Sequence, residues 1–272
     1  MTKSKSILFW VLAFLITAAS AIYQRMTGPT YPISGSTKFE GRTITYKFER
    51  SHSINSDCIV KVKTGDAGIR GYLYWKRYKF DKKFTEVEMT GNDTLVASLS
   101  KQPMAGKLQY MVRLYKGEKN LILPEDQSPV IRFKGDVPAW ILIPHVLAMF
   151  LSMLFGARAA FELFSKQPKL RFYTLWTIVI LFVGGFIFGP IMQYYAFGDA
   201  WTGIPFGYDL TDNKTLIAMI GWLVAFFMLK KSKNPKHWVL FAAILMFIVY
   251  LIPHSALGSE YDYSKAKQEQ VK

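Results

Sequence analysis

The chain has 272 residues, of which 51% are apolar and 16% aromatic, and its formal net charge is +15. The apolar residues are concentrated in 7–23 and 139–253, so the composition excludes both a wholly soluble chain and a chain embedded in lipid throughout. The basic residues flank the apolar runs, where membrane topology explains them, and we therefore exclude nucleic acid as a partner.

The first apolar run, residues 7–23, follows Lys3 and Lys5. This pattern is typical of an uncleaved signal anchor, but the small residues at 19–21 also offer the cleavage position of a signal peptide. Residues 1–24 are therefore predicted to be one or the other. Both interpretations export the residues that follow.

Residues 30–136 predict an exported β-domain. Short segments rich in β-branched and aromatic residues are separated by Gly, Asn, Asp or Pro, which favours a β-sandwich over a barrel or an α/β fold. The predicted strands are 42–50, 57–63, 69–77, 84–89, 94–100, 107–115 and 129–134.

The single cysteine, Cys58, lies in the second of these strands. It cannot form a disulfide within this chain, and no Cys/His spacing of the zinc type is present. We expect Cys58 to be a packed strand residue and not a reactive thiol.

Residues 76–83, with the sequence KRYKFDKK, predict a basic hairpin tip on this domain. Such a tip is most simply a solvated turn. The alternative is a contact with anionic lipid or with an acidic partner.

One part of the β-domain resembles a known class of module. The residues that carry the likeness are Tyr74, Trp75, Arg77, Met89, 94–115 and 130–133. They resemble the immunoglobulin-like and fibronectin type III-like modules of bacterial envelope proteins, in which a Gln-Pro-x-Ala-Gly turn leads into a Tyr-containing strand. The resemblance implies an immunoglobulin-like sandwich that binds, spaces or docks other proteins. The whole layout is similar to bacterial membrane proteins that join such a module to a small helical bundle.

Residues 138–254 predict a bundle of four spans. The apolar segments are 138–157, 172–192, 216–229 and 238–252. The fold class is therefore mixed: an N-terminal anchor or signal, an all-β immunoglobulin-like sandwich, and then a four-helix α transmembrane bundle.

Basic segments predict the orientation. Lys3 and Lys5, the connection 158–171 and the connection 230–236 all carry the excess of Lys and Arg expected on the cytoplasmic side. The β-domain (25–137), the loop 193–213 and the tail after 254 then lie outside, in a bacterial inner membrane with its periplasmic face outward.

The last two predicted spans are short. Segments of about 14 to 15 apolar residues cover roughly 21 to 23 Å of a hydrocarbon core near 30 Å. We expect the aromatic loop 193–213 to insert at the outer boundary and make up part of the difference.

The sequence LIPH occurs twice, and it places His145 and His254 at the outer ends of their spans. Met149 follows His145 at i+4 on the same helix face. The functional interpretation is that the two histidines bind haem b or copper, with Met149 or a loop carboxylate such as Asp209 as a further ligand. The alternative is that each histidine donates a hydrogen bond that fixes helix packing.

Two residues of the loop predict a helix cap. Thr211 and Asp212 directly precede the fourth span, where a side-chain oxygen can accept from free backbone N–H groups.

Other loop residues have no structural role that the sequence indicates. Asp199, Trp201, Tyr208 and Asp209 lie on the predicted outer side, and the acidic and aromatic stretch 258–264 lies there too. We expect loop, span ends and tail to form one outer pocket.

The sequence contains no catalytic motif of a familiar type, neither a G-x-S-x-G elbow nor H-E-x-x-H nor a phosphate-binding loop. The predicted function is therefore a non-enzymatic envelope membrane protein, an assembly or accessory subunit that docks an envelope partner through the immunoglobulin-like domain. The alternatives are a haem- or copper-binding protein that serves electron transfer, sensing or metal handling, and a small transporter.

Overall fold

The computed structural model describes residues 3–253, 258 and 260–264. The chain divides into two compact units. A helical unit comprises Met1–Pro29 and Val137–Gly258, and a β-domain comprises Thr30–Asp136 and Ser259–Lys272.

The helical unit contains six α-helices among the described residues. They are α1 (Lys3–Thr27), α2 (Ala139–Glu162), α3 (Leu170–Phe182), α4 (Gly189–Phe197), α5 (Leu210–Lys231) and α6 (Pro235–Leu251). A π-helical segment, Val183–Phe188, joins α3 and α4 into one continuous rod. By length and composition, α1, α2, this rod and α5 can each cross a membrane, whereas α6 has 17 residues. The described helices therefore mark the chain as a membrane protein.

Small residues let the helices of this unit pack closely. Trp222 of α5 is fully buried and its indole N–H donates to the sulfur of Met246 on α6, 3.1 Å away. A Cβ at Gly156 of α2 would lie 3.0 Å from the Trp222 ring and 3.1 Å from the Met246 sulfur. Gly156 therefore makes room for the largest side chain of the core, as small residues do in membrane helix interfaces.

The connection predicted at 158–171 is shorter in the structure, and the position assigned to Arg158 was wrong. Helix α2 continues to Glu162, and Arg158 is fully buried as an ion pair with that residue. A hydropathy boundary does not mark a helix end, because a charged residue continues the helix when a partner one turn away compensates it. The connection is 163–169.

Three aromatic side chains from two helices, α1 and α3, surround the Arg158 guanidinium. Its central carbon lies 5.4 Å from the Phe9 ring, 5.6 Å from the Trp10 ring and 4.6 Å from the Tyr173 ring. Arg158 is thus compensated by both a carboxylate and aromatic faces, which a guanidinium favours. Helix α1 is joined to α2 and α3 through this cluster.

Helix α1 also makes a contact near its other end. The Gln24 amide donates to the Tyr250 carbonyl of α6 over 2.9 Å. With the Arg158 cluster, α1 is therefore held at both ends by the helical unit. The signal-anchor and signal-peptide interpretations of residues 1–24 both stay predictions.

Within the described residues, ten strands form the β-domain. They are β1 (Ile33–Phe39), β2 (Arg42–Phe48), β3 (Ser51–Ser53), β4 (Cys58–Lys63), β5 (Arg70–Arg77), β6 (Thr85–Glu88), β7 (Thr94–Leu99), β8 (Lys107–Lys116), β9 (Lys119–Leu123) and β10 (Val130–Lys134). One sheet has the order β1-β2-β4-β7, and the other has the order β3-β10-β8-β5-β6 with β9 paired to β8. All pairs are antiparallel except β3 with β10.

Inward side chains of both sheets share one core. Alternate residues of β4 and β8 are buried, as expected when one face of each strand packs inward. The core includes Val60 and Val62 from one sheet, and Leu73 and Val112 from the other.

The seven predicted strands correspond to seven of the ten observed strands, and β1, β3 and β9 were missed. Strand β1 has the polar sequence ISGSTKF at a sheet edge, where packing places little demand on side chains. It pairs with β2 through a two-residue turn at Glu40 and Gly41, both at positive φ. That conformation favours Gly and matches the twist of a hairpin.

Cys58 is a core residue, as predicted, with 2% of its surface exposed. Burial raises the pKa of its thiol to about 11, and the Glu49 carboxylate adds to this effect. The thiolate is the reactive form of cysteine, so Cys58 is inert at neutral pH.

The Arg158 cluster predicts a large effect for Glu162→Ala. The substitution leaves a buried guanidinium without its carboxylate, and we expect the unfolding free energy of the helical unit to fall by roughly 3–5 kcal/mol. Denaturant titration in detergent micelles measures this, with Lys166→Ala as the control because Lys166 is exposed in the adjacent connection. Equal stability of the two variants would contradict the role assigned to the ion pair.

Candidate functional site

The predicted outer loop is shorter in the structure than 193–213. Helix α4 extends to Phe197 and ends at Gly198, whose φ of 88° suits a glycine after a helix. Helix α5 begins at Leu210, so it includes polar residues that an apolar-run criterion places outside the span. The loop comprises residues 198–209.

The cap of α5 was assigned to the wrong residues. Asp209 is the N-cap, and its side chain accepts from the Thr211 N–H over 2.8 Å. Thr211 and Asp212 lie within the first turn. The cap lies nearer the N-terminus than predicted because α5 begins before the apolar segment does.

Asp212 instead binds the loop to the helix ends. Its Oδ2 accepts from the Thr202 N–H at 2.7 Å, the Gly203 N–H at 3.0 Å and the Gln193 amide at 3.2 Å. The Gln193 amide also donates to the Thr202 hydroxyl at 2.7 Å. Asp212 is only 6% exposed, so its charge is compensated by these donors. We call Gln193, Thr202, Gly203 and Asp212 the loop latch.

Lys214 connects α5 to the end of α6. Its ammonium is buried, with 4% of the residue exposed, and donates to the Ile252 carbonyl at 2.9 Å. Ile252 follows the last residue of α6, where carbonyls have no partner within the helix and the dipole favours a cation.

His145 packs against the π-helical segment. Its Nδ1 lies 2.9 Å from the Gly184 carbonyl, which also accepts from the Gly189 N–H. A carbonyl can only accept, so Nδ1 carries the proton and donates. The predicted packing role of His145 therefore corresponds to a specific hydrogen bond to the rod.

Met149 packs beside the same segment. A Cβ at Gly184 would lie 3.1 Å from the Met149 sulfur, which shows how closely helix and rod approach. The Tyr250 hydroxyl lies 3.8 Å from this sulfur. His254, the other predicted ligand, lies outside the described residues, so its meeting with His145 stays a prediction.

The loop residues predicted to line an outer pocket point in different directions. Trp201 stacks on Phe186 of the rod at 5.6 Å, whereas Asp199 and Tyr208 are exposed, Tyr208 by 91%. Within the described ranges, no group of three or more His, Cys, Asp or Glu side chains could hold a metal ion. The structure does not bring the described members of the predicted metal set, His145 and Asp209, together into such a group.

The tail also departs from its predicted place. Residues 260–264 belong to the β-domain and lie against its surface, not in a pocket with the span ends. We call the surface they contact the tail-binding surface; it consists of Arg77, Lys79, Phe80, Gln102, Ala105 and Lys107.

Glu260 supplies the acidic part of this contact. Its carboxylate pairs with Lys107 at 2.8 Å and with Lys79 at 3.1 Å. Burial would raise the pKa of Glu260, but the hydrogen bonds from Lys107 and Lys79 outweigh this and hold it below its ordinary value of 4.5. Glu260 is therefore ionised at neutral pH.

Tyr261 and Tyr263 supply the backbone and aromatic parts. The Tyr261 N–H donates to the Ala105 carbonyl at 3.1 Å. The Tyr263 ring is buried 5.7 Å from the Phe80 ring and 5.5 Å from the Arg77 guanidinium, and its hydroxyl donates to the Gln102 side chain at 3.0 Å. Burial raises the pKa of Tyr263 to about 12, so the hydroxyl keeps its proton.

The strands place this surface independently of the tail. Strand β5 pairs with β8 so that Arg77 lies opposite Leu108, next to Lys107. Asp81 binds the Arg77 guanidinium through two nitrogens at 2.9–3.2 Å, and this fixes the face that Tyr263 contacts. At Gly106, a Cβ would lie 2.9 Å from the Tyr263 hydroxyl, so the glycine leaves room for it.

The ring and the ion pairs both contribute to this contact. Lys79 and Glu260 are well exposed, and such pairs contribute about 0.2–1 kcal/mol each. Burial of a large side chain such as Tyr263 contributes roughly 1.5–3 kcal/mol. The sum of these free-energy contributions is small, so substitutions in the tail can abolish the contact.

Two segments of the sequence supply the tail-binding surface, and no sequence pattern links one to the other. The basic tip 76–83 supplies Arg77, Lys79 and Phe80, and the Gln-Pro-x-Ala-Gly turn supplies Gln102 and Ala105. Only the β5–β8 pairing places them next to each other.

The loop latch predicts that Asp212→Ala destabilises the helical unit by about 3 kcal/mol, because three donors, two of them in buried hydrogen bonds, lose their acceptor. Asp199→Ala in the same loop is the matched control, since Asp199 is exposed. Thermal unfolding in detergent and proteolysis within residues 198–209 measure the effect. Matching stability and cleavage rates in the two variants would disprove the latch.

The tail contact predicts a dependence on pH. Because the folded pKa of Glu260 lies below 4.5, the contact is complete above that pH and is lost as the pH falls through the lowered value. A fluorophore on Ser264→Cys reports release as a drop in anisotropy. Glu260→Gln should weaken docking at neutral pH and remove the acid transition, whereas Glu118→Gln, at an exposed turn, should change neither. An unchanged transition in Glu260→Gln would refute the assignment.

The chain was compared with models of known protein families and with curated proteins, and neither comparison finds a match.

Proposed function

We propose that this chain is a non-enzymatic integral membrane protein of a bacterial envelope, and that its immunoglobulin-like β-domain docks another envelope protein. It would act as an assembly or accessory subunit. The observation that carries the proposal is the tail-binding surface, which holds a short peptide segment by ion pairs, a backbone hydrogen bond and a buried aromatic ring. These are contacts by which protein surfaces recognise extended segments.

The immunoglobulin-like assignment is supported by two features. Two sheets share one core, and the Gln-Pro-x-Ala-Gly turn at 102–106 leads directly into β8, which contains the buried Tyr110. The Tyr110 hydroxyl donates to the Glu49 carbonyl at 2.7 Å, which gives the buried phenol its partner.

The proposed orientation places the β-domain outside the cell. Lys230 and Lys231 are exposed in the last turn of α5, and Lys166 is exposed between α2 and α3. Their distribution supports an inner-membrane protein with these ends in the cytoplasm. The exposed Ile204, Phe206 and Tyr208 of the opposite loop suit a membrane boundary, where aromatic side chains concentrate.

The haem or copper alternative rests on His145 and His254. The hydrogen bond from Nδ1 to the Gly184 carbonyl gives His145 a packing role on the rod. The docking proposal is preferred because the described residues include an occupied peptide contact.

Photocross-linking in native membranes tests the proposal. A benzophenone amino acid at Lys82, which is exposed at the basic tip, should give an adduct with an envelope protein, and one at Lys61 on the other sheet should not. Lys79→Glu with Lys107→Glu should reduce the adduct at least tenfold, because both cations of the surface reverse sign. If neither probe position, nor the exposed Lys38 and Glu118, gave an adduct, the docking function would be refuted.

A further inference from the structure

The tail-binding surface indicates the chemistry of its partner, and this inference rests on the proposed function. We infer that the surface recognises an acidic and aromatic segment of the partner, and that the chain's own residues 260–264 occupy the site as a competitor. The segment has an acidic residue at the position of Glu260 and an aromatic residue three positions later, at that of Tyr263.

The surface selects these two features through separate contacts. Lys79 and Lys107 converge on one carboxylate oxygen, at 3.1 and 2.8 Å. The Tyr263 ring lies against both the Phe80 ring and the Arg77 guanidinium, which themselves lie 4.6 Å apart, and the Gln102 side chain accepts a hydrogen bond from its hydroxyl. Different side chains of the surface bind the carboxylate and the ring, so a peptide with one feature alone makes only part of the contact.

The backbone contact carries no sequence information. The Tyr261 N–H donates to the Ala105 carbonyl, a bond that any residue except proline can make at this position. Tyr261 also contacts the Tyr263 ring, edge to face, at 5.1 Å. A partner segment can therefore replace the tail without copying its whole sequence.

The chain's own tail leaves much of the positive charge of the β-domain uncompensated. Residues 30–136 contain 19 Lys or Arg against 12 Asp or Glu, a formal net charge of +7. Lys82 and Lys83 are exposed beside the surface, and within the described part of the chain neither takes part in an ion pair. A partner segment with more acidic residues than the tail would gain contacts that the tail does not make.

The tail can act as a removable competitor because it is tethered and its contact is small. A short tether gives an effective concentration of about a millimolar, so even a weak contact stays occupied until a better ligand arrives. Substitution of Glu260 and Tyr263, the two residues that hold the tail, should then expose the surface to a peptide supplied in solution.

A binding experiment with the full-length protein in detergent tests this. The probe is a fluorescent peptide with the sequence of residues 258–264, GSEYDYS, and the control peptide is GSQYDAS. The variant Glu260→Gln/Tyr263→Ala should bind the probe about tenfold more tightly than the unmodified chain, because its surface is free. Adding Lys107→Glu should abolish binding, whereas adding Lys101→Glu, an exposed lysine nearby, should not. Far-UV circular dichroism and melting curves establish that each variant is folded.

Several results would overturn the inference. Equal binding of the two peptides, or no binding to the folded tail variant, would show that the surface does not select these features. Displacement of the probe by phosphatidylglycerol vesicles but not by phosphatidylcholine vesicles would identify a lipid site instead. A dimer of the unmodified chain that Tyr263→Ala dissociates would identify a second copy as the occupant.

The cross-linking probe at Lys82 separates this inference from the docking function. The tail variant should give more of the partner adduct, and excess GSEYDYS peptide should remove it. An adduct that responds to neither change would leave the docking function in place and refute the competitor role of the tail. Absence of any adduct on the β-domain would refute the docking function. Binding of the fluorescent peptide would still test whether the surface selects an acidic and an aromatic residue.

Discussion

The helical unit depends on compensation of charge away from water. Arg158 is fully buried, and an ionised group in that position is costly unless a carboxylate and polarisable neighbours replace its hydration. Glu162 provides the carboxylate, and the rings of Phe9, Trp10 and Tyr173 provide the neighbours. Because these side chains come from α1, α2 and α3, compensation of one guanidinium determines how three helices pack.

The same constraint organises the opposite end of the unit. Asp212 is surrounded by donors from α4 and the loop, and Lys214 donates to a free carbonyl at the end of α6. The His145 hydrogen bond to Gly184 joins α2 to the π-helical segment. From the sequence, these polar residues suggest a reaction centre. In the structure, they mainly hold helix ends and a loop together. An intramembrane polar group invites a functional hypothesis, and here Asp212, Lys214 and His145 each have a hydrogen-bond partner.

The β-domain follows the opposite principle. Its core is apolar, and most of its charged side chains are partly or fully exposed. The contact of Glu260 and Tyr263 combines weak surface ion pairs with one buried ring. In such a contact the buried ring contributes stabilisation and the charges contribute orientation.

Much of this architecture follows from the sequence by itself. Apolar runs and alternating strands determine the membrane helices and seven of the strands, because hydrophobic period and run length are local properties. The edge strand β1, the helix ends at Glu162 and Leu210, and the cap at Asp209 required the structure, because they depend on pairing and capping partners. Only the tertiary structure decided where the tail lies. Residues 76–83, 102–107 and 260–264 are far apart in the chain, and the β5–β8 pairing brings the first two together to receive the third.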